Sequence, residues 1–437
     1  MRMSRPTGYG WLWMASSSGA LGEGISLSVL PLILAGLTRD PLLIASLQVA
    51  AAIPWALFGL QAGALADRWD RATVLRIADL VRGSLVAVLA LLVAVGAVSV
   101  AVLLIYAFAS SMATIMFRAA SPALLPSLVT SEGLPQANGR LQGGTTVAGS
   151  FVGPGLGSVV FTVANWFPLL VQAISFGVSV CCLRLLPRRT SPRPTTGQTL
   201  RGEITQGLRH VWHDRTLRIL AAATTLLGSA TWMLMAVLVL YSLQTLDTPP
   251  AAYGLLFTAY AVGSLIGASL ASRIQSHLSS RMCLTLSALI GGLSVLGMAA
   301  TRTFALAATG MAALGVSMML YNVIAVTVRQ QRTPDALLGR VSGVFNVLNV
   351  GSAPLGAPIA GLIGSQYGIP VAIAIAGATY CAAAVILATR MPHPTTQPPF
   401  KSGCALMKAK NCIPRRSRLR RFVTASRGCL VGVVKIF

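Results

Sequence analysis

Glu23 is the residue in this sequence best placed to do chemistry, because it is a carboxylate in the middle of a long apolar stretch. The chain has ten Asp and Glu residues, and the other nine lie in loops, near the ends of apolar stretches or, like Asp79, within about two turns of one end. A charged group at bilayer depth costs at least about 2.5 kcal/mol on insertion scales. Such a carboxyl group can take up and release a proton near neutral pH. The alternative is a protonated acid that hydrogen-bonds a neighbouring helix, and a role in function is the favoured interpretation.

Two arginines also lie somewhat inside apolar stretches. Arg82 follows Asp79 by three residues on one helix face, so we expect a local ion pair between them. Arg118 lies a few residues inside the end of the fourth stretch, and its long side chain can reach the lipid headgroups. A side chain directed to the headgroups is the favoured interpretation for Arg118.

Twelve apolar stretches of spanning length must position these residues. The mean hydropathy is +0.73, and only 10% of the residues are charged, against about 25% in a soluble domain. A membrane span needs about 20 apolar residues. We therefore predict an all-α polytopic membrane protein with spans at 10–36, 42–66, 74–96, 100–121, 139–163, 167–186, 216–243, 252–272, 281–300, 303–327, 339–366 and 369–390.

The basic residues are distributed unequally across these spans. Of 34 Lys and Arg residues, only Arg39 and Arg302 lie in gaps that alternation places on one side of the membrane. The positive-inside rule then puts both termini in the cytoplasm of a cell whose inner membrane holds the protein. The same distribution explains the net charge of +24 without nucleic acid as a partner.

The longest gap between spans divides them six and six. We predict an N-terminal six-helix bundle at 1–186, a cytoplasmic linker at 187–215 with an amphipathic helix at 209–215, a C-terminal six-helix bundle at 216–392 and a basic tail at 393–437. At an offset of 200, the residues Gly139, Arg140, Gly143, Val147 and Pro154 match Gly339, Arg340, Gly343, Val347 and Pro354. Two related halves around a central site are typical of a transporter.

Several kinds of chemistry are excluded or disfavoured. Residues 1–400 contain no lysine, and a phosphate-binding loop of the Walker type needs a Gly-Lys pair. We therefore do not expect ATP to drive transport directly within this chain, which leaves an ion gradient or passive flow. The sequence shows no metal-ligand spacing among its Cys and His residues, and we expect no cofactor and no metal. The four His residues lie in or beside loops without a plausible nucleophile nearby, so we do not expect an enzyme; they are His210, His213, His277 and His393.

The segment from Gly63 to Arg71 resembles a known motif. It reads GALADRWDR and is similar to motif A of the major facilitator superfamily, G-x-L-A-D-R-x-G-R-[KR]. The resemblance implies that Asp67 caps the start of span eleven. With Arg68 and Arg71 it would hold the cytoplasmic side closed, as a latch, in the outward-open state. The alternative for the two arginines is that their positive charge only sets the membrane topology. Asp70 and Ala72 depart from the motif, which leaves the latch one cation short.

The fifth span carries a second motif. Its run from Gly149 to Gly157 is similar to motif C, which exporters of this superfamily carry. Gly149, Gly153 and Gly157 recur at four-residue spacing, which lets another backbone approach closely, while Pro154 bends the helix. Tight packing alone is the alternative. Pro354 and Pro358 are expected to bend span eleven in the same way.

Other segments resemble the branch of enterobactin exporters, macrolide efflux pumps and related drug exporters. They are Leu21 to Ile25, Gly207 to Arg218 and Leu338 to Gly343, and the whole resemblance covers about residues 10–392. It implies two pseudo-symmetric six-helix bundles, and it offers a second interpretation for Arg118, as the arginine of span four that tunes the coupling carboxyl of proton-driven exporters.

Several aromatic and amide residues within spans could line a substrate cavity, although such residues also pack between helices. They are Trp55, Trp232, Tyr260, Tyr321, Asn322, Asn346 and Asn349.

The tail differs in composition from the rest of the chain. Residues 401–437 hold ten Lys and Arg and no acid, including every lysine of the protein. The segment is either a polybasic stretch held on anionic lipid or a sequence not under selection. The second is slightly favoured, and no transport role is assigned to it.

These observations predict a monomeric exporter that moves a small amphipathic compound, such as a drug, an antibiotic or a siderophore, outward across the bilayer in exchange for protons. A uniporter or importer of a small metabolite is the alternative within transport. A membrane protein that does not transport is the alternative outside it. The sequence does not identify the substrate.

Overall fold

The computed structural model describes residues 8–59, 70–130, 133–186, 200–334 and 337–392. These ranges are almost wholly helical. The fifteen α-helices within them are α1 (Gly8–Leu37), α2 (Pro41–Phe58), α3 (Arg71–Ala94), α4 (Val100–Leu124), α5 (Leu134–Thr146), α6 (Gly153–Phe161), α7 (Phe167–Arg184), α8 (Leu200–His213), α9 (Arg215–Leu240), α10 (Pro250–His277), α11 (Ser280–Ala300), α12 (Phe304–Arg332), α13 (Leu338–Val350), α14 (Ala353–Tyr367) and α15 (Ile369–Arg390).

Eleven helical segments of the described ranges are long and apolar enough to cross a membrane. They coincide with eleven of the twelve predicted spans. The fifth predicted span corresponds to a helical run from α5 through a π-helical segment, Val147–Val152, into α6. Its first half is polar, which separates it from the other eleven, and this half borders a cavity described below.

The helix predicted at 209–215 is longer and ends earlier than expected. It is α8, and it stops at His213 because Asp214 caps the next helix, where its carboxylate accepts a hydrogen bond from the backbone N–H of Leu217 at 2.9 Å. Asp70, which departs from motif A, has the same role for α3 and accepts a hydrogen bond from the N–H of Thr73 at 2.9 Å. A cap of this kind typically contributes about 1 kcal/mol.

The transmembrane helices form two bundles, α1 to α7 and α9 to α15. We call the face on which α1 begins the N-terminal face; because the spans alternate, α3, α5, α9, α11 and α13 also begin there. The predicted linker residues 187–199 and the predicted tail 393–437 lie outside the described residues, so the domain boundaries stay predictions.

The bundles meet along the halves of four helices that lie away from the N-terminal face. There α2 packs on α14, and α6 packs on α10. A Cβ atom on Gly361 would lie 2.8 Å from the Cβ atom of Ala45, and one on Gly254 would lie 2.4 Å from the carbonyl oxygen of Pro154. Since real Cβ atoms do not approach so closely, these glycines allow the helices to touch. We call this contact the inter-bundle seam.

Candidate functional site

The glycines of the fifth span hold α1, the helix that carries Glu23. A Cβ atom on Gly153 would lie 2.7 Å from the Cα atom of Gly24, and one on Gly157 would lie 2.7 Å from the Ser28 hydroxyl oxygen. A Cβ atom on Gly24 would in turn lie 2.2 Å from the carbonyl oxygen of Gly149. The predicted close approach of a second backbone is therefore present, and α1 is the helix that approaches.

Pro154 follows the π-helical segment of that span. Proline removes a backbone hydrogen bond and disturbs the helix before it, and π-helical segments occur frequently at functional sites. In the second bundle the matching Pro354 stands at the start of α14, directly after the break between α13 and α14 at 351–352. Both matching spans are irregular at the same place.

Glu23 accepts hydrogen bonds from two arginines. Its Oε1 atom lies 2.6 Å from Nη1 of Arg82, and its Oε2 atom lies 2.7 Å from Nη2 of Arg118. Arg82 also donates to Oδ1 of Asp79, as the three-residue spacing predicted, and Ser179 donates to Oδ2. Arg82 thus joins the carboxylates of Glu23 and Asp79 into one cluster.

Arg82 is fully buried between aromatic rings. Its side chain is 0% exposed, and its guanidinium carbon lies 4.5 Å from the ring centre of Phe117 and 4.7 Å from that of Phe176. The ring faces favour a cation, and the carboxylates neutralise it. We call Glu23, Asp79, Arg82 and Arg118 the charge cluster; its two acids balance its two bases.

Arg118 points to Glu23 and not to the headgroups, so the favoured interpretation of its side chain is wrong. The contact agrees with the second interpretation, which the family resemblance offered. Residue spacing could not show it, since the two residues are separated by 95 positions and meet only through packing of α1 on α4. A coupling role for Arg118 stays a prediction. The Arg118 side chain remains 61% exposed. Its guanidinium carbon lies 5.8 Å from the ring centre of Trp55.

Two cavities meet at Glu23. The larger, about 570 Å³, is lined by residues of α1, α4 and the polar half of the fifth span, including Arg118, Gln142 and Thr146. The smaller, about 190 Å³, extends towards Tyr106 and Gln172. Glu23 lines both, with 23% of its side chain exposed. The carboxylate thus borders the larger cavity on one side and the smaller, mainly apolar cavity on the other.

A further cavity of about 520 Å³ lies in the second bundle. Six of the seven predicted cavity residues line it, namely Trp232, Tyr260, Tyr321, Asn322, Asn346 and Asn349. Trp55 does not, and lies beside Arg118 instead. The helices that contribute several residues each present one face at spacings of three and four residues, as in Ser342, Phe345, Asn346 and Asn349 of α13.

Hydrogen bonds hold the wall of this cavity. The indole N–H of Trp232 donates to the carbonyl oxygen of Asn349 at 3.3 Å, and the hydroxyl groups of Thr224 and Tyr321 lie 3.0 Å apart. Arg329 also lines the cavity, and sequence reasoning missed it. Its signal was its place on α12 seven residues after Asn322, which puts both on the same helix face.

The motif A residues Gly63, Asp67 and Arg68 lie outside the described residues. Arg71 is the first residue of α3. The backbone at Gly339, against which the resemblance places Asp67, has no described atom within 4 Å of the position of a Cβ atom. The latch therefore stays a prediction.

Known proteins resemble this chain along most of its length. The multidrug efflux pump Tap of Mycolicibacterium fortuitum is 29% identical over 371 residues, which cover 82% of this chain and 89% of Tap. The enterobactin exporter EntS of Citrobacter koseri is 27% identical over 248 residues, which cover 56% of this chain and 58% of EntS.

The crystal structure of the nucleoside transporter NupG superposes with a TM-score of 0.73 at 13% identity and covers 88% of this chain and 99% of NupG. This likeness shows the major facilitator fold, two six-helix bundles, as predicted. The sequence itself matches the transmembrane secretion effector family over residues 4–406. The chain is thus a multi-pass membrane transporter of the major facilitator superfamily and belongs to its transmembrane secretion effector family.

Proposed function

We propose that this transporter exports a small amphipathic compound in exchange for protons, with Glu23 as the proton-carrying group. The observation that carries the proposal is the position of Glu23, a mid-membrane carboxylate held by two arginines and open to a cavity. Membrane acids of this kind mark proton pathways. The relatives described as a multidrug efflux pump and an enterobactin exporter support export as the direction.

Protonation of Glu23 would change the charge cluster as a whole. A neutral carboxyl group no longer compensates the guanidinium groups of Arg82 and Arg118, and a buried charge without its partner is costly. A rearrangement of α1, α3 and α4, the helices that carry these residues, then lowers the free energy of the protein. In this way the gain or loss of one proton biases the equilibrium between two arrangements of the bundles.

The arrangement of cavities fits an inward-facing state. The large cavities of both bundles lie in the halves of the helices near the N-terminal face, and the seam closes the other side. The unequal distribution of arginines supports a cytoplasmic location for the N-terminal face. We therefore propose that both termini are cytoplasmic, that the protein resides in the cell's inner membrane, and that export proceeds when the bundles rock about the seam.

The substrate occupies the cavity of the second bundle in this proposal. Its wall combines aromatic groups with exposed carboxamides, a mixture that suits an amphipathic molecule. Arg118 lines the cavity of the first bundle and Trp55 lies beside Arg118, so a substrate that reaches across the central space also contacts them. The protein acts as a monomer here, since each chain carries both cavities.

The direction and coupling can be tested in proteoliposomes loaded with a fluorescent amphipathic drug. An imposed pH gradient, acidic on the side opposite to the drug's starting compartment, is expected to accelerate drug movement against the proton flow. Nigericin in potassium medium, which collapses the gradient, is the control. Equal rates with and without the gradient would favour a uniporter, and movement in the same direction as the protons would favour an importer.

A further inference from the structure

Arg329 has no acidic partner among the residues that the structure describes. It lies on α12, half-buried, and lines the cavity of the second bundle. The described residues that line this cavity include no acid, and the ion pairs found in the described ranges do not include Arg329. Its buried Nε atom has no hydrogen-bond partner there either. A partly buried cation without an anionic partner is unfavourable, so Arg329 is suited to bind an anion that enters the cavity.

The two bundles differ in the charge balance of their cavities. At the two cavities that meet at Glu23, each guanidinium group of the charge cluster is matched by a carboxylate, since Arg118 pairs with Glu23 and Arg82 pairs with Glu23 and Asp79. The cluster therefore has no net charge when Glu23 is ionised. The described residues that line the cavity of the second bundle carry one positive charge, that of Arg329.

The surroundings of Arg329 hold its guanidinium group in place. Its Cζ atom lies 4.6 Å from the ring centre of Phe345, on α13. Stacking on a ring leaves the edge of the guanidinium group, which carries the N–H donors, open to a partner in its plane. Asn322, Asn346 and Asn349 lie on the same wall with exposed carboxamides, and these add neutral donors next to the cation.

We propose that Arg329 binds an oxyanion, of which a carboxylate is the simplest, on an amphipathic substrate. The planar N–H groups of Arg329 donate to the oxygens of the anion. The apolar part of the same molecule lies against Trp232, Tyr260 and Phe345. This inference rests on the proposed function in taking this cavity as the substrate cavity, and it narrows the substrate class to anionic or zwitterionic amphiphiles.

Export of an anion has a consequence for the driving force. If one monoanion leaves as one proton enters, two positive charges move inward in net terms, whereas export of a neutral molecule moves one. An interior-negative membrane potential should therefore accelerate export of an acid more than export of its neutral ester. Exchange of one monovalent cation for one proton moves no net charge, so its rate would not depend on the membrane potential.

Binding of matched probes tests the site directly. N-dansyl-phenylalanine and its methyl ester differ in one charge and have nearly the same shape. Their affinities can be measured by fluorescence with the full chain in nanodiscs of zwitterionic lipid, with empty nanodiscs subtracted. The wild-type protein should bind the acid about tenfold or more tightly than the ester. Arg329→Gln should remove this preference, and Arg329→Lys should retain part of it because the charge remains.

Arg273→Gln is the matched control, since Arg273 is exposed near the same end of the second bundle and does not line the cavity. It should keep the wild-type preference. Equal affinity of the wild-type protein for acid and ester would overturn the inference, as would an unchanged preference in Arg329→Gln or an equal loss of both probes in that variant. If the wild-type protein prefers the acid but shows no proton-driven efflux, the proposed function is overturned and the anion site at Arg329 is retained.

Discussion

Arg82 holds the charge cluster together at the scale of single residues. Its guanidinium group contacts Glu23 of α1 and Asp79 of its own helix, and two aromatic rings cover its faces. The spacing of Asp79 and Arg82 predicted their pairing because i, i+3 residues share a helix face. The contact with Glu23 could not be predicted, since it depends on how α1 packs against α3.

Arg82→Met should destabilise the protein strongly. The substitution keeps much of the apolar volume but leaves Asp79 and Glu23 without their shared cation, and loss of one partner of a buried ion pair costs about 3–5 kcal/mol. The melting temperature of the detergent-solubilised protein measures the effect. Arg118→Met is the control and should cost less, since the Arg118 side chain is largely exposed. Equal melting temperatures for the two variants would contradict the central position of Arg82.

The cavity residues show what single-sequence reasoning can and cannot find. Amides and aromatic rings within apolar stretches identified six residues that line one cavity, because polar groups in a membrane span need a polar neighbour or solvent. Trp55 is also an aromatic residue within a predicted span, but it lies beside Arg118 in the first bundle. Arg329 was missed because its position near the end of a span is also where positive charge sets topology.

At the scale of helices, the fifth span is the element that fixes the position of Glu23. Its glycines allow the backbone of α1 to approach within distances that a side chain would block. The four-residue spacing predicted this face, but only the fold shows that α1 occupies it. The π-helical segment next to it had a signal in Pro154, whereas its extent over Val147–Val152 depends on tertiary packing.

Gly153→Ala should weaken the contact between α1 and the fifth span. The added methyl group would lie 2.7 Å from the Cα atom of Gly24, and overpacking of this kind typically costs about 1–3 kcal/mol. The melting temperature in detergent and the rate of efflux should both fall. Gly177→Ala in α7 is the matched control, because nothing lies within 4 Å of its added Cβ atom and alanine favours a helix by up to about 1 kcal/mol. Unchanged stability of Gly153→Ala would show that the approach is not tight.

The helix boundaries were the most predictable feature of the fold. Long apolar runs define spans almost without regard to tertiary contacts, so eleven of them coincide with helices of spanning length. The fifth span was harder to place because its polar half borders a cavity. The amphipathic helix α8 was predicted too short, since the pattern at 209–215 did not reveal that Asp214 ends one helix and caps the next.

At the scale of the whole molecule, the two bundles form one closed and one open side. The seam brings α2 against α14 and α6 against α10, while the cavities lie near the N-terminal face. The internal duplication predicted two halves, but a sequence carries no information on which of two arrangements a structure adopts. Alternating access requires that the open side can close.

Asp67→Asn should shift the protein further towards the arrangement with an open N-terminal face. The resemblance to motif A implies that the anion of Asp67 stabilises the closed cytoplasmic side at the start of α13, where a helix N-terminus favours negative charge by up to about 1 kcal/mol. Spin labels at Gly139→Cys and Ser276→Cys, in a background without native cysteines, report the distance between the bundles. Both residues are exposed near the N-terminal face, and neither belongs to the predicted latch. An unchanged distance distribution would contradict the latch.

The most direct test of the account is uphill transport by Glu23→Gln. Glutamine keeps the shape and a hydrogen-bond acceptor for the arginines but cannot carry a proton, so the variant should still exchange substrate down its gradient and lose accumulation driven by a pH gradient. Asp247→Asn is the matched control: this carboxylate lies in the loop before α10, at a φ of 49° that asparagine tolerates, and its variant should pump like the wild-type protein. In proteoliposomes, we expect substrate accumulation to reach only the passive level in Glu23→Gln. Accumulation at the wild-type level with the same pH dependence would contradict the coupling role of Glu23.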